Sequence, residues 1–290
     1  MKYYWVYFIF SSIFIVPGIY SLLNWGLKPS IDFTGGTVLQ LQVNSQKPIQ
    51  KSVIEAAAKK ENIEILELNQ STNNTFTLRA KEFNQSKNTL LQEKIASAAG
   101  ATVTEKQFET LGPILGSETL NKTMAAIGLA VIVILLFVWK QFNDKKYGIC
   151  AILAMLHDTL VVFGIFSLLG HFKGVEIDTL FMTAVLTILS FSVHDTIVVY
   201  DRIRESLRKY SGIPYETIVN KAVNETLGRS VNNSMTIIFM LLALYLLGGE
   251  TIKWFVFALL IGTISGTYSS TFTAAPLLVL WEKMFKRSRH

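Results

Sequence analysis

Two aspartates lie inside long apolar stretches of this sequence. Asp158 and Asp195 are each flanked by mainly apolar residues. An aspartate at the centre of a membrane-spanning helix costs about 2.5–3.5 kcal/mol on insertion scales, so it faces protein or a water-filled cavity and has a partner. A poorly solvated carboxyl group stays protonated, whereas an approaching cation or water stabilises its anion. Both positions therefore have the chemistry of a proton carrier.

Arg229 is the candidate cation for Asp195, because it opens a later apolar stretch. The alternative is a polar clamp between helices, which serine, threonine or asparagine also provides. We favour proton transfer for Asp195, since ionisable groups inside a membrane mark ion paths. For Asp158 the proton role and the clamp both stay open.

A histidine precedes each of these aspartates, at His157 and His194. Neighbouring residues of a helix point about 100° apart, so the members of each pair need not be in contact. Both histidines are therefore interpreted as structural, and no role is assigned to them.

A face of small residues lies near the end of the chain. Gly262, Gly266, Ser270 and Ala274 recur at every fourth position. Small residues at this spacing let helix backbones approach closely. This stretch is therefore predicted to pack tightly against another helix, and we expect a partner chain to supply that helix.

Familiar catalytic patterns are missing from the sequence. It has no G-x-x-x-x-G-K-[ST] for a nucleotide, no H-E-x-x-H for zinc and no G-x-S-x-G nucleophile elbow. Cys150 is the only cysteine, which excludes an intramolecular disulfide and a cysteine metal cluster. We expect no cofactor, no metal and no enzymatic activity. Energy for any transport then comes from an ion gradient or from a partner that hydrolyses nucleotide.

Composition and long apolar stretches predict the transmembrane helices that carry these residues. The 290 residues are 50% hydrophobic and 17% charged, with a mean hydropathy of +0.38. This composition excludes a mainly soluble enzyme. Six stretches approach the roughly 20 apolar residues of a transmembrane helix. They lie at about 4–23, 124–140, 148–169, 180–200, 231–248 and 254–281.

Lysine and arginine are distributed unequally between the two sides of such a six-span chain. With the N-terminus inside, basic residues concentrate in a loop at 201–230 and in the C-terminal tail, whereas the short outer loops hold Lys173 and Lys253. The positive-inside rule then places both termini in the cytoplasm. The net charge of +6 reflects this topology and does not indicate nucleic-acid binding. The first span, within 1–23, is a retained anchor, since no small-x-small cleavage site follows it.

A polar segment at 24–122 separates the first span from a five-helix domain at 123–290, and we expect it to fold outside the cytoplasm. Its apolar residues follow strand and helix periods in turn. The order βαββαβ predicts a ferredoxin-like α+β fold. The predicted elements are a strand at 39–43, a helix opened by Pro48, β-rich runs at 63–65 and 75–80 around a turn at 71–74, a helix from Asn84 to Gly100, and a strand at 102–109.

Five segments resemble the SecF family, whose members are the smaller partners of SecD in bacterial protein export. Ile31–Gly36 reads IDFTGG, like the D-F-T-G-G signature just outside the family's first span. His194–Glu205 reads HDTIVVYDRIRE and is very close to the family's fourth-span motif. The other similar segments are Leu111–Gly116, Arg229–Thr236 and Gly262–Pro276. Together they cover almost the whole chain.

The resemblance implies a multi-pass cytoplasmic (inner) membrane protein of the resistance-nodulation-division superfamily that uses the proton-motive force to assist protein translocation. Its implied partners are SecD in an obligate heteromer, the SecYEG channel, the translocating preprotein and membrane lipid. The family's proton-coupling aspartate falls on Asp195, and its arginine falls on Arg229. Asn233 and Ile237 depart from the family, in which many members have threonine at these positions.

The family motifs also flank the outside domain. Their glycines are either hinges or tight turns. Two rival functions stay open: half of a proton-coupled small-molecule or lipid exporter, which needs an apolar pocket in the outside domain, and a passive scaffold of the translocation channel. The motif residues are Asp32, Phe33, Gly35, Gly36, Gly112 and Gly116.

Overall fold

The computed structural model describes residues 4–45, 48–71, 74–142, 144–210 and 212–287. Two compact units form within them. One holds the described residues up to Lys28 and from Ala125 onward, and the other holds Pro29–Met124. In chain order the elements are α1 (Tyr4–Asn24), α2 (Ile31–Thr34), β1 (Gly36–Asn44), α3 (Lys51–Lys60), β2 (Ile65–Ser71), β3 (Thr75–Ala80), α4 (Gln85–Ala99), β4 (Thr102–Leu111), α5 (Pro113–Gln141), α6 (Lys145–Lys173), α7 (Thr179–Lys209), α8 (Tyr215–Leu247), α9 (Glu250–Ser269), a π turn (Ser270–Ala274) and α10 (Ala275–Arg287).

Six helical stretches are long and apolar enough to cross a membrane, as the sequence predicts. They are α1, α5, α6, α7, α8 and the continuous stretch Thr251–Met284.

The basic segment 201–230 connects the fourth and fifth spans and consists mainly of the end of α7 and the start of α8. Here α7 continues to Lys209, and α8 begins at Tyr215. Ion pairs explain the extension: the Arg202 guanidinium lies 2.6 Å from a Glu205 carboxylate oxygen on α7 and 2.5 Å from a Glu225 carboxylate oxygen on α8. These contacts hold the charged ends of both helices together.

The last span is interrupted by the π turn at Ser270–Ala274. A π turn inserts one extra residue into a helix and is frequent at functional sites. The Tyr200 hydroxyl on α7 donates a hydrogen bond of 2.9 Å to the Ala274 carbonyl oxygen at the end of this turn. The π turn is therefore hydrogen-bonded to the neighbouring helix α7.

Helices α1 and α6 cross at a pair of glycines. A Cβ atom at Gly164 would lie 2.5 Å from the Gly18 Cα, which is closer than real side chains approach. One turn away, the Ser21 and Ser167 hydroxyl oxygens lie 2.6 Å apart in a buried hydrogen bond. Small residues let membrane helices pack this closely, and the hydrogen bond ties them together.

The small-residue face of the last span packs against α7 of the same chain. A Cβ at Gly262 would lie 2.3 Å from Ile188 Cγ1, and one at Gly266 would lie 3.6 Å from the Ser192 Cα. Ser270 and Ala274 are fully buried. The prediction of tight packing is confirmed, but the expected position of its counterpart was wrong, because α7 already fills this face.

The unit Pro29–Met124 contains a four-stranded antiparallel sheet of order β2-β3-β1-β4. The central strand β1 carries the predicted alternation, since Leu39, Leu41 and Val43 are all buried. Ile54 of α3 and Leu91 of α4 are also buried in this core. The sheet and its two longer helices thus enclose one hydrophobic core.

The sequence predicts the ends of α4 correctly but not the start of α3. The Asn84 side chain accepts a 3.1 Å hydrogen bond from the Lys87 N–H, and α4 ends at Gly100 with φ of +59°, as predicted. The prediction that Pro48 opens α3 was wrong, because the Ile49 N–H donates to the Asn74 side chain and the helix begins at Lys51. Thr72 and Asn73, within the predicted turn, lie outside the described residues.

Replacing Gly164 with alanine is expected to destabilise the membrane unit, because α1 must move away from the new Cβ. Overpacking of this kind costs about 1–3 kcal/mol. The expected result is a lower unfolding temperature in detergent, measured as the reaction of the buried Cys150 with a thiol-reactive dye. Gly148→Ala on the same helix is the control, since a Cβ there meets nothing within 4 Å. Equal unfolding temperatures for the two variants would contradict the crossing described above.

Candidate functional site

Asp158 lies at the centre of the membrane unit and is 1% exposed. Its Oδ2 atom accepts hydrogen bonds from the Ser192 hydroxyl of α7, at 2.7 Å, and from the Ser269 hydroxyl of α9, at 2.6 Å. Its Oδ1 atom accepts from the Ser265 hydroxyl of α9, at 2.6 Å. Three helices therefore converge on one carboxyl group.

His157 is the fourth partner of this carboxyl group. Its Nδ1 atom lies 3.0 Å from Asp158 Oδ1, and its Nε2 atom lies 2.9 Å from the Ser11 hydroxyl of α1. The side chains of these neighbours are thus in contact, which their spacing along the helix does not require. His157 links α1 to the buried carboxyl group.

The hydroxyl groups suit either protonation state of Asp158. A serine hydroxyl donates one hydrogen bond and accepts others, so it can rotate to follow a carboxylate or a carboxylic acid. Hydrogen bonds to a charged group contribute about 1.5–3 kcal/mol each, which offsets the desolvation of a buried anion. We call Asp158, His157, Ser192, Ser265 and Ser269 the Asp158 cluster.

The spacing of two serines on α9 explains how the cluster forms. Ser265 and Ser269 are four residues apart and thus share one helix face. Between them, a Cβ at Gly266 would lie 3.8 Å from Asp158 Oδ2. This is an ordinary contact distance, so both serines reach the carboxyl group because they share one face of α9. The serines were not identified from the sequence, because hydroxyl residues are common in membrane spans.

A largely apolar cavity of about 280 Å³ lies beside the cluster, between α1, α6 and α9. His157 and Ser265 lie at its boundary with Asp158. The other lining residues are almost all apolar, so this side offers a buried proton few polar partners. They are Phe10, Ser11, Phe14, Val161, Ile165, Ile261, Ile264 and Tyr268.

Asp195 has a different environment, half-buried on α7 at the side facing α8. The Ser230 hydroxyl donates a 3.2 Å hydrogen bond to its Oδ2 atom. Within the part of the chain that the structure describes, no ion pair joins Asp195 to Arg229, so the predicted pairing is not formed. Ser230 takes that place, because the next residue along a helix is rotated by about 100°.

Arg229 instead belongs to an exposed polar face of α8. Asn232, Asn233 and Thr236 continue this face at helical spacing, and all four side chains are exposed. His194 of α7 is exposed as well. Polar groups within a membrane span face protein or a water-filled cavity, which applies to this face of α8.

The family-motif glycines form a packed turn within the unit Pro29–Met124. Gly35 has φ of +69° and Gly36 has φ of +117°, both in the region that favours glycine. A Cβ at Gly116 would lie 2.6 Å from the Gly35 nitrogen, whereas one at Gly112 would make only an ordinary contact with Glu82.

The other two motif residues belong to α2. The Asp32 N–H donates to the Ser30 side chain at the start of this helix, and Phe33 is 4% exposed. Among the described residues, no group of three or more histidine, cysteine or acidic side chains has the geometry to hold a metal ion.

Two segments of the chain match models of known protein families. Residues 91–284 match the C-terminal region of the protein export membrane proteins SecD and SecF, and residues 20–47 match the SecD/SecF GG motif. The chain is 44% identical to a protein translocase subunit SecF from Thermobaculum terrenum, over 99% of this chain and 96% of that protein. It is 36% identical to one from Anaerolinea thermophila, over 96% and 92%.

Two solved structures of SecDF are similar to this chain. A crystal structure of SecDF, a translocon-associated membrane protein from Thermus thermophilus, has a TM-score of 0.80 and 32% identity over 94% of this chain. SecDF in a super-membrane-facing form has a TM-score of 0.69 and 30% identity over 99% of this chain. The chain spans 37% and 39% of these two proteins. It therefore belongs to the SecD/SecF family of protein-export membrane proteins.

Proposed function

We propose that this chain is a SecF-type subunit that uses the proton-motive force to assist protein translocation across the cytoplasmic membrane. The observation that carries the proposal is Asp195, a half-buried carboxyl group next to the exposed polar face of α8. Its hydrogen-bond partner, Ser230, is neutral and adjoins Arg229. A carboxyl group whose hydrogen-bond partner is a neutral hydroxyl stays protonated until a cation or water stabilises its anion.

The adjacency of Ser230 and Arg229 suggests how protonation moves α8. When Asp195 is neutral, the serine hydroxyl satisfies it. When Asp195 is ionised, a rotation of α8 by about 100° exchanges Ser230 for Arg229 and forms an ion pair. Each unit charge that crosses the membrane supplies about 2.3 kcal/mol per 100 mV, which biases such a two-state movement.

SecD is the proposed partner that covers the polar face of α8. The family relation supports this association, because the SecDF chains contain a region similar to this one within a longer protein. An obligate heteromer, contact with a SecYEG channel and a translocating preprotein belong to the same proposal. The positive-inside rule supports cytoplasmic termini.

For the unit Pro29–Met124 we propose a ferredoxin-like module. The strand order β2-β3-β1-β4 and the two helices that follow β1 and β3 support it. One cleft of this unit is lined by Lys51, Glu55 and Lys59 together with apolar residues. A charged lining suits polypeptide better than a lipid, so the unit favours protein export over small-molecule or lipid export.

Replacing Asp195 with asparagine is expected to lower proton-driven export at least about tenfold, because the side chain no longer exchanges a proton. Export is measured in inverted membrane vesicles with and without a proton gradient, and assembly with SecD by copurification. The matched control is Asp201→Asn on the same helix, where the carboxylate pairs with Arg204 and is exposed. Normal gradient-dependent export by Asp195→Asn would support a passive scaffold and overturn the proposal.

Replacing Asp158 separates the proton role from the polar clamp. Asparagine keeps the shape and can accept and donate hydrogen bonds to the serines, so Asp158→Asn is expected to assemble normally but to lose proton flux in vesicles. Alanine leaves the buried Ser192 and Ser265 hydroxyls without their acceptor, while Ser269 keeps a 3.3 Å hydrogen bond to the Gly266 carbonyl oxygen. Asp158→Ala is therefore expected to be less stable, by about 1–3 kcal/mol for each unsatisfied group. If Asp158→Asn conducts protons like the unmodified chain, Asp158 is only a clamp.

A further inference from the structure

Besides the Tyr215 hydroxyl, two buried hydroxyl groups lack a hydrogen-bond partner among the residues that the structure describes. They are Thr196 Oγ1 and Thr273 Oγ1, on side chains that are 1% and 5% exposed. An unpaired buried hydroxyl costs about 1–3 kcal/mol. In native proteins such groups are usually satisfied by ordered water.

Both hydroxyls follow the serines of the Asp158 cluster by four residues. Thr196 comes after Ser192 on α7, and Thr273 comes after Ser269, across the start of the π turn. Residues four apart share a helix face, so each threonine lies about 6 Å further along on the side that faces Asp158. Ala154 is fully buried one turn before Asp158 on α6 and adds only a methyl group at this level.

Tyr200 marks the far end of the same face. It follows Thr196 by four residues, is fully buried, and donates to the carbonyl oxygen of Ala274, the residue after Thr273. Thr273 therefore lies between the Asp158 cluster and the Tyr200 hydroxyl. The π turn places it there, and such turns are frequent where a helix has a function besides packing.

Polar groups continue from Tyr200 to the basic end of the helices. The Tyr147 ring lies 5.4 Å from the Tyr200 ring, and the Lys146 ammonium lies 5.3 Å from the Tyr147 ring. Lys146 also lies 3.4 Å from a Glu282 carboxylate oxygen. Hydroxyl-bearing residues thus lead from Asp158 in this direction, whereas the cavity on the α1 side is almost entirely apolar.

We propose that water molecules held by Thr196 and Thr273 connect Asp158 to Tyr200 and form the inward half of the proton path. The proposal rests on the proton role of Asp158 proposed above. In the transfer, the carboxylic acid O–H bond breaks, a bound water gains the proton, and each water passes one proton on. Only O–H bonds change, the excess proton moves along the waters to the level of Tyr200, and Asp158 remains as the carboxylate.

The test is the double variant Thr196→Val, Thr273→Val, in the full chain assembled with SecD in lipid vesicles. Valine has nearly the volume of threonine and lacks the hydroxyl, so the water sites are lost without a cavity. We expect proton flux, followed with an entrapped pH-sensitive dye, to fall at least about tenfold. The matched control is Thr226→Val, a buried threonine whose hydroxyl donates to backbone carbonyls within α8. Its flux should stay within about twofold of the unmodified chain.

A second measurement is used if the double variant assembles poorly with SecD. Hydrogen–deuterium exchange of the protonated Asp158 carboxyl group is followed by infrared spectroscopy, with the band assigned by its loss in Asp158→Asn. Exchange at least about tenfold slower in the double variant supports the path. Unchanged flux and exchange in the double variant, with flux lost in Asp158→Asn, would overturn the path alone. Unchanged flux in Asp158→Asn would overturn the proton role of Asp158 and the path together.

Discussion

The hydrogen bonds around Asp158 join four helices of the membrane unit, α1, α6, α7 and α9. A carboxyl group this deeply buried needs partners in every direction, and α7 and α9 supply three serine hydroxyls. His157 contacts the same carboxyl group and also forms a hydrogen bond with Ser11, which connects α1 to the cluster. Small residues bring these helices close together elsewhere as well, as at the crossing of Gly18 and Gly164.

Asp195, on the neighbouring helix α7, has the opposite environment. It has one hydroxyl partner, and beside it α8 exposes Arg229 and several amide or hydroxyl side chains. Asp158 has four hydrogen-bond partners within the described part of this chain, whereas Asp195 has one and lies beside an exposed polar face of α8. This difference fits a protein-translocation subunit in which one carboxyl group faces a partner and the other lies on an internal path.

Local sequence determined some features well, because neighbouring residues supply their interactions. The apolar lengths predicted all six spans, and Asn84 with Gly100 predicted the ends of α4. Pro48 misled the prediction for α3 because a contact from a distant side chain, Asn74, holds the adjoining Ile49 N–H outside the helix. The charged segment 201–230 marks a connection between two spans, and in the structure α7 and α8 extend into it, joined by the ion pair of Arg202 and Glu225.

The sequence by itself determined that two aspartates lie within apolar spans, because insertion into a membrane depends on composition along the chain. Only the tertiary structure decided which groups they meet. Three serines and a histidine around Asp158 come from positions up to 111 residues away, and Ser230 rather than Arg229 contacts Asp195 through the rotation of α8. Helix rotation and crossing depend on packing across the bundle, which spacing along one helix does not contain.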